Sequence, residues 1–197
     1  MIYSDFTIEA LEEKFGIEIT DDHDLFPNAT PVEIPQLLTR LLERFVPLAT
    51  TINTEKARGE FIIAPILAEF TLGIQKLALF SGIDVPVDQG QGLTGRCDYI
   101  LSRSATQLTL GAPILVIVEA KNENIIAGIP QCIAGMLAAH IFNKRKHTPT
   151  ETVYGIVTTG SLWRFLKLTS NKAHVDSVEY SLGQLDEIMG ILTEIVR

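Results

Sequence analysis

The chain has 197 residues, of which 46% are hydrophobic and 20% charged, and its formal net charge at pH 7 is −8. The apolar fraction is too high for an intrinsically disordered protein, and the length suits one domain with a substantial core. No uninterrupted apolar run reaches the roughly 18 residues of a membrane span, so the sequence predicts no membrane partner. Two cysteines without metal-site spacing, and no signal-peptide pattern, predict a cytoplasmic location.

The negative charge is concentrated near the amino terminus. Residues 1–27 hold eight acidic side chains and one lysine, a net charge of −7, which leaves −1 for the other 170 residues. A near-neutral body can still present a local basic surface, so the overall charge does not exclude a nucleic-acid partner. The acidic segment suggests a hypothesis of its own, an autoinhibitory cover that mimics nucleic acid.

Hydrophobic periodicity and capping residues predict a mixed α/β domain. The predicted elements are helices over about 7–15, 35–49 and 55–80, strands over 85–87, 95–102 and 113–119, a helix over 125–142, a hairpin of strands 153–158 and 162–168, and a helix after residue 181. The continuous β-branched run within 113–119 is typical of a strand buried on both faces. This order predicts a mixed β-sheet flanked by α-helices.

A glycine-rich string lies between the first two predicted strands. Gly90, Gly92 and Gly95 match the spacing of a dinucleotide-binding fingerprint. That fingerprint requires a helix directly after it, whereas the residues after Gly95 predict a strand. The string therefore indicates a turn, and the alternative of an enzyme with a nucleotide cofactor rests on this string alone.

Charged side chains lie beside two of the predicted strands. Asp98 begins an apolar strand segment, Glu119 and Lys121 end the buried run, and Gln131 follows early in the next helix. Ionic groups at the end of such an apolar strand are costly unless they are paired, coordinated or solvated. A divalent cation would let two adjacent carboxylates stay ionised, and oxygen ligands suit Mg²⁺ or Mn²⁺. The Ala120 carbonyl could be another ligand, and Lys121 could orient an attacking water or stabilise negative charge.

The series Asp98, Glu119-Ala120-Lys121 and Gln131 resembles the core of the PD-(D/E)XK nuclease superfamily. The resemblance includes the nuclease domain at the N-terminus of type I restriction motor subunits and its stand-alone relatives. It implies a single domain with a restriction-endonuclease-like mixed β-sheet flanked by α-helices. The nuclease-like core would span 55–168, preceded by an N-terminal helical extension over 1–54 and followed by a C-terminal strand and helix over 169–197.

The resemblance implies a nuclease that hydrolyses phosphodiester bonds of DNA with Mg²⁺ or Mn²⁺ as cofactor. Asp98, Glu119 and the Ala120 carbonyl would hold the metal, Lys121 would assist the reaction, and Gln131 would order the metal site or contact DNA. The resemblance also implies a glutamate on the first core helix that completes the outer ligation of the metal, which we assign to Glu60, with Glu55 and Glu69 as rivals.

Basic side chains are the candidates for contacts with nucleic-acid phosphates. They are Lys56, Arg58, Arg96, Arg103, Lys144, Arg145, Lys146 and Arg164. Two alternatives remain open. The chain could be a catalytically inactive nuclease-fold module for binding or regulation, able to form a homodimer, or the carboxylates could be solvated strand ends with Lys121 in a surface ion pair.

Overall fold

The computed structural model describes residues 2–85, 87–88, 90 and 92–197 as a mixed α/β fold. Six α-helices are described: α1 (Ile8–Phe15), α2 (Gln36–Ile52), α3 (Glu55–Arg58), α4 (Ala64–Leu72), α5 (Ile125–Arg145) and α6 (Leu185–Ile195). A π-helical turn, Gly59–Ile63, joins α3 to α4, and 3₁₀ turns occur at Tyr3–Asp5 and Leu182–Gln184. The strands are β1 (Glu18–His23), β2 (Ala78–Asp84), β3 (Arg96–Ser102), β4 (Ile114–Ala120), β5 (Thr152–Thr158), β6 (Leu162–Thr169), β7 (Lys172–Asp176) and β8 (Tyr180–Ser181).

The eight strands form one mixed sheet in the order β1-β7-β6-β5-β4-β3-β2, with β8 paired to β6 beside this path. Strands β2, β3 and β4 are successive antiparallel neighbours. Helix α5 then connects β4 to β5, which runs parallel to β4 and is followed by the antiparallel hairpin partner β6. The carboxyl ends of β4 and β5 therefore lie at the same edge of the sheet as the start of α5.

A hydrophobic core covers each face of the sheet. On one face, α1 and α5 pack against the strands through residues such as Leu11 and Ile133. On the other face, α2, the π-helical turn, α4 and α6 supply residues such as Leu38, Ile62 and Ile188. Because helices cover both faces, the central strand β4 is apolar on both sides, as its β-branched run predicts.

Asn143 links the last turns of α5 to the first residue of β4 through hydrogen bonds. Its Oδ1 accepts a hydrogen bond from the Ile114 N–H at 2.7 Å, and its Nδ2 donates to the Ile114 carbonyl at 2.8 Å. The Asn143 side chain is fully buried, so water cannot take over its two hydrogen bonds to the Ile114 backbone.

Asn143→Ala is expected to destabilise the protein by about 2–4 kcal/mol, since it leaves two buried backbone groups without a partner. For a chain of this size that lowers the melting temperature by about 5–15 °C. Thermal unfolding followed by circular dichroism measures the shift, with Asn171→Ala as control, because the Asn171 amide makes an exposed hydrogen bond. An unchanged melting temperature for Asn143→Ala would contradict the assigned role.

The predicted helix over 55–80 is wrong in its last part. Helical structure ends at Leu72, and residues 78–80 belong to β2, where Ala78 and Phe80 face one core and Leu79 packs against the other. Pairing of Phe80 with Ile100 of β3 favours the extended backbone over the apolar helical pattern. The prediction of a strand over 85–87 is also wrong at Val85, because β2 ends one residue earlier, at Asp84. Residue 86, in the middle of that predicted strand, lies outside the described residues.

The predicted N-terminal helical extension also contains a strand that the sequence did not indicate. The residues of β1 are largely exposed and polar, and β1 pairs in parallel with β7 through Glu18 and Lys172. The segment before it contributes Tyr3, Phe6 and Leu11 to the core beside α5. The acidic residues therefore belong to a segment that is packed into the fold, and the hypothesis of an autoinhibitory cover that mimics nucleic acid stays a prediction.

Helix α5 is long and apolar enough to cross a membrane, by length and composition alone. Within the structure, 61% of its most apolar window is buried. Residues such as Cys132 and Met136 of α5 lie in the core against the sheet. The same length and composition are met by the core helix of a soluble protein, so this feature is weak evidence for a membrane span.

Candidate active site

Asp98 and Glu119 lie on neighbouring strands at one edge of the sheet. Tyr99 of β3 pairs with Val118 of β4, so the next step of the antiparallel register sets Asp98 opposite Glu119. Asp98 Oδ2 accepts a hydrogen bond from the Ala120 backbone N–H at 2.7 Å. The structure thus brings together the two carboxylates that the sequence singled out.

Glu119 is a fully buried carboxylate. Its Oε2 accepts a hydrogen bond from Nε2 of Gln131 at 2.6 Å, while its Oε1 is buried with no hydrogen-bond partner among the described residues. Burial, followed by the negative charge of Asp98, raises the pKa of Glu119 well above its usual range. The positive charge of Lys121 opposes this shift in pKa without reversing it, so an ionised Glu119 is only partly compensated.

Lys121 extends the site beyond the end of β4. Its Nζ donates a hydrogen bond to the Ala120 carbonyl at 2.8 Å and lies 3.7 Å from Oε2 of Glu55. Its side chain is only 17% exposed. Gly128 of α5 permits this packing, because a Cβ there would lie 3.2 Å from two carbons of Lys121 and 2.6 Å from Cγ1 of Val157.

A cavity of about 260 Å³ is lined by Asp98 and Ala120. Glu55 and Glu60 line it from α3 and the π-helical turn, and Tyr99 lines it from β3. Burial, followed by the charges of Asp98 and Glu60, raises the pKa of Tyr99 to about 12. The volume lies slightly below the roughly 300 Å³ at which pockets for whole small molecules begin, so the cavity suits one group of a larger ligand.

Glu60 and Glu55 both reach this cavity, but they have different ionic partners. Glu60 is exposed and forms an ion pair with Lys56 at 2.8 Å. Glu55 instead faces Lys121. The structure therefore places both glutamates at the site and connects Glu55, the rival in the sequence assignment, directly to a predicted catalytic side chain.

The oxygen atoms at this edge fit a hard divalent cation in their chemistry. They are the carboxylate of Asp98, the unpartnered Oε1 of Glu119 and the Ala120 carbonyl. Across residues 2–85, 87–88, 90 and 92–197, no three His, Cys, Asp or Glu side chains converge on one point as a metal-binding group. The candidate set is thus two carboxylates plus one backbone oxygen, and a bound cation would compensate the buried charge of Glu119.

Four of the predicted phosphate-binding residues lie at or near this edge of the sheet, each with a protein partner. Lys56 pairs with Glu60, and Arg96 lies 3.9 Å from Asp84. Arg58 is half-buried and donates to the Thr159 carbonyl and to Oγ of Ser161, and Arg164 lies 3.5 Å from Glu179 with most of its side chain buried. Arg58 therefore links α3 to the β5–β6 turn through hydrogen bonds, whereas the side chains of Lys56 and Arg96 are exposed.

The other four predicted phosphate-binding residues are not brought to the site. Lys144, Arg145 and Lys146 lie at the far end of α5, about 20 Å along the helix axis from Gln131. Arg145 donates a hydrogen bond to the Val87 carbonyl, and Arg103, beyond the far end of β3, donates to the Gln75 carbonyl. Any contact of these residues with nucleic acid would be remote from the carboxylates.

Sequence reasoning missed two parts of the site, Tyr99 and Gly128. Tyr99 directly follows Asp98 in a predicted strand, where successive side chains point to opposite faces, so no sequence pattern indicated that it lines the same cavity. Gly128 lies in the first turn of a predicted helix, where a glycine lowers helix stability by about 1 kcal/mol and so indicates a close approach of another element.

Comparison of the chain with protein-family models, with curated proteins and with solved structures gives no match.

Proposed function

We propose that the protein is a divalent-metal-dependent nuclease that hydrolyses phosphodiester bonds, with DNA as the substrate and Mg²⁺ or Mn²⁺ as the cation. One observation carries the proposal: Asp98, Glu119 and the Ala120 carbonyl meet at one edge of the sheet beside Lys121. Two carboxylates, a carbonyl and an ammonium group form a donor set suited to a hard cation and an anionic substrate.

The order of elements supports the finer assignment to a restriction-endonuclease-like fold. A helical segment precedes three antiparallel strands, β2 to β4, and α5 then crosses to the parallel strand β5. This is the order that the resemblance to the PD-(D/E)XK superfamily implies. The carboxylates and Lys121 also occupy the strand ends where that resemblance places them.

The residues of the site have separate roles in the proposed reaction. A bound Mg²⁺ or Mn²⁺ would neutralise the carboxylates and supply a water of lowered pKa. Gln131 holds Glu119 in place through its amide, and the Lys121 ammonium stabilises negative charge that develops on the phosphoryl oxygens. Glu55 keeps that ammonium at the cavity, while Glu60 supplies a further carboxylate at its exposed side.

Cleavage assays with the Asp98→Ala variant test the proposal. The wild-type protein is expected to cut plasmid DNA or labelled oligonucleotides in Mg²⁺ or Mn²⁺ and not in EDTA. Asp98→Ala is expected to reduce the rate at least about 100-fold, because it removes one of two carboxylate ligands. Asp186→Ala, a change at an exposed carboxylate of α6, serves as the matched control.

Equal cleavage by Asp98→Ala or Lys121→Ala and the parent protein would refute this mechanism. Titration with Mn²⁺ by calorimetry separates the remaining outcomes. Binding that depends on Asp98 supports the metal site. If the wild-type protein neither binds Mn²⁺ nor cleaves any nucleic acid, the inactive binding module would replace the nuclease.

A further inference from the structure

Tyr99 is a polar side chain of the cavity to which the proposed mechanism gives no role. Its side chain lies in the core that covers the helix-rich face and is 6% exposed. Tyr99 lines the cavity together with Asp98 and Ala120. Buried tyrosine hydroxyls usually have a hydrogen-bond partner, and the Tyr99 hydroxyl lies beside Gly59, another residue that lines the cavity.

Gly59 keeps the space beside this hydroxyl free. A Cβ at position 59 would lie 3.0 Å from the Tyr99 oxygen, so the hydroxyl would have to shift to admit any other residue. Gly59 also begins the π-helical turn that continues to Ile63. Such turns are rare and occur frequently at functional sites, where they alter the path of the helix.

The ion pairs of the glutamates that line the cavity show which kind of group the Tyr99 hydroxyl can bind. Lys56 is paired with Glu60 and Lys121 with Glu55, so each of these ammonium groups already has a carboxylate partner. The Tyr99 hydroxyl is a neutral donor that faces the same space. A phenol is protonated at neutral pH and can donate to an anionic oxygen without adding charge to the site.

We propose that the Tyr99 hydroxyl binds substrate, donating a hydrogen bond to a non-bridging oxygen of the phosphodiester in the cavity. The inference rests on the proposed nuclease function, because it takes the cavity to be the phosphate site. It assigns Tyr99 a contact with the substrate, and it assigns Gly59 the role of leaving room for that contact. The neutral donor adds to the positive charge of Lys121, whose ion-pair partner Glu55 lines the same cavity.

Tyr99→Phe removes the hydroxyl and leaves the buried ring. We expect kcat/KM for an oligonucleotide to fall about 10-fold or more, as for loss of a hydrogen bond to a charged group. Gly59→Ala is expected to give a smaller loss in the same direction. Tyr154→Phe is the matched control, because Tyr154 is a half-buried tyrosine near the amino-terminal end of β5, the end away from the carboxylates.

A phosphorothioate substrate distinguishes contact with the phosphate from a structural role. Sulfur in place of the contacted oxygen should slow the wild-type protein for one diastereomer, and Tyr99→Phe should lose that discrimination. Melting temperatures within a few degrees of wild type show that each variant is folded. Equal kcat/KM for Tyr99→Phe and wild type, with Asp98→Ala inactive, would overturn the Tyr99 assignment and leave the proposed function intact.

Binding measurements keep the inference testable if the wild-type protein does not cleave DNA. Fluorescence anisotropy with a labelled oligonucleotide in Ca²⁺, an oxygen-binding cation of the same charge, gives the affinity without turnover. About 10-fold weaker binding by Tyr99→Phe would support the contact even though the catalytic proposal had failed. Equal affinity, or no binding by the wild-type protein, would overturn it.

Discussion

Glu119→Gln is expected to abolish phosphodiester hydrolysis and, without divalent cations, to raise the melting temperature at neutral pH. The substitution keeps the shape of the side chain and an oxygen that can accept the hydrogen bond from Gln131. It removes an ionisable carboxyl group that is fully buried and whose second oxygen has no partner among the described residues. We expect the cleavage rate to fall at least about 10³-fold, because a neutral amide is a poor ligand for the proposed cation.

The stability difference has a defined pH dependence. Burial raises the pKa of Glu119 in the folded state, so the folded protein holds this proton more tightly than the unfolded chain does. The wild-type protein therefore loses stability as pH rises from the ordinary glutamate pKa, about 4.3, towards the raised folded value. Glu119→Gln does not titrate, and its advantage should be absent at low pH and grow as pH increases.

Thermal unfolding in EDTA across this pH range measures the difference, and a change of 1 kcal/mol corresponds to about 2–4 °C. Glu60→Gln is the control, because Glu60 is exposed. Added Mn²⁺ should stabilise the wild-type protein and close the gap. A melting-temperature difference between Glu119→Gln and wild type that stays constant with pH would show that the folded state does not penalise the ionised carboxylate.

Deletion of residues 1–27 is expected to abolish cooperative folding instead of releasing a nucleic-acid site. The segment places Tyr3, Phe6, Leu11 and Ile17 in the core beside α5. Removal of each large buried side chain costs about 2–4 kcal/mol, so the four together match the whole stability of a typical domain, about 5–15 kcal/mol. The deletion also exposes the edge of β7 that β1 covers.

Circular dichroism and heteronuclear NMR spectra of the truncated protein test this expectation. The control is the double substitution Glu12→Gln and Glu13→Gln, which removes two exposed charges of the same segment and none of its core residues. It should melt close to the wild type. A truncated protein that unfolds cooperatively near the wild-type temperature, and binds DNA more tightly at low salt, would contradict this expectation and support the hypothesis of an autoinhibitory cover.

The sequence by itself determined the elements whose signals are local. The β-branched run of β4, the hairpin of β5 and β6, and the capping box of Ser181 and Gln184 before α6 were all predicted from contiguous residues. The placement of Glu119 at the end of a buried strand followed from the same local pattern. Such signals are readable because strand alternation, helix periodicity and capping depend on residues near one another in the chain.

Only the tertiary structure decided the features that depend on distant partners. The polar strand β1 exists because β7 offers its edge, and β2 is extended because β3 pairs with it. Likewise, folding brings Lys121 to Glu55 and leaves Lys144 remote from the carboxylates. Backbone N–H and C=O groups can pair with any strand that tertiary packing brings alongside. Ion-pair partners depend on where the folded backbone places each charge. Neither can therefore be predicted from a local sequence pattern.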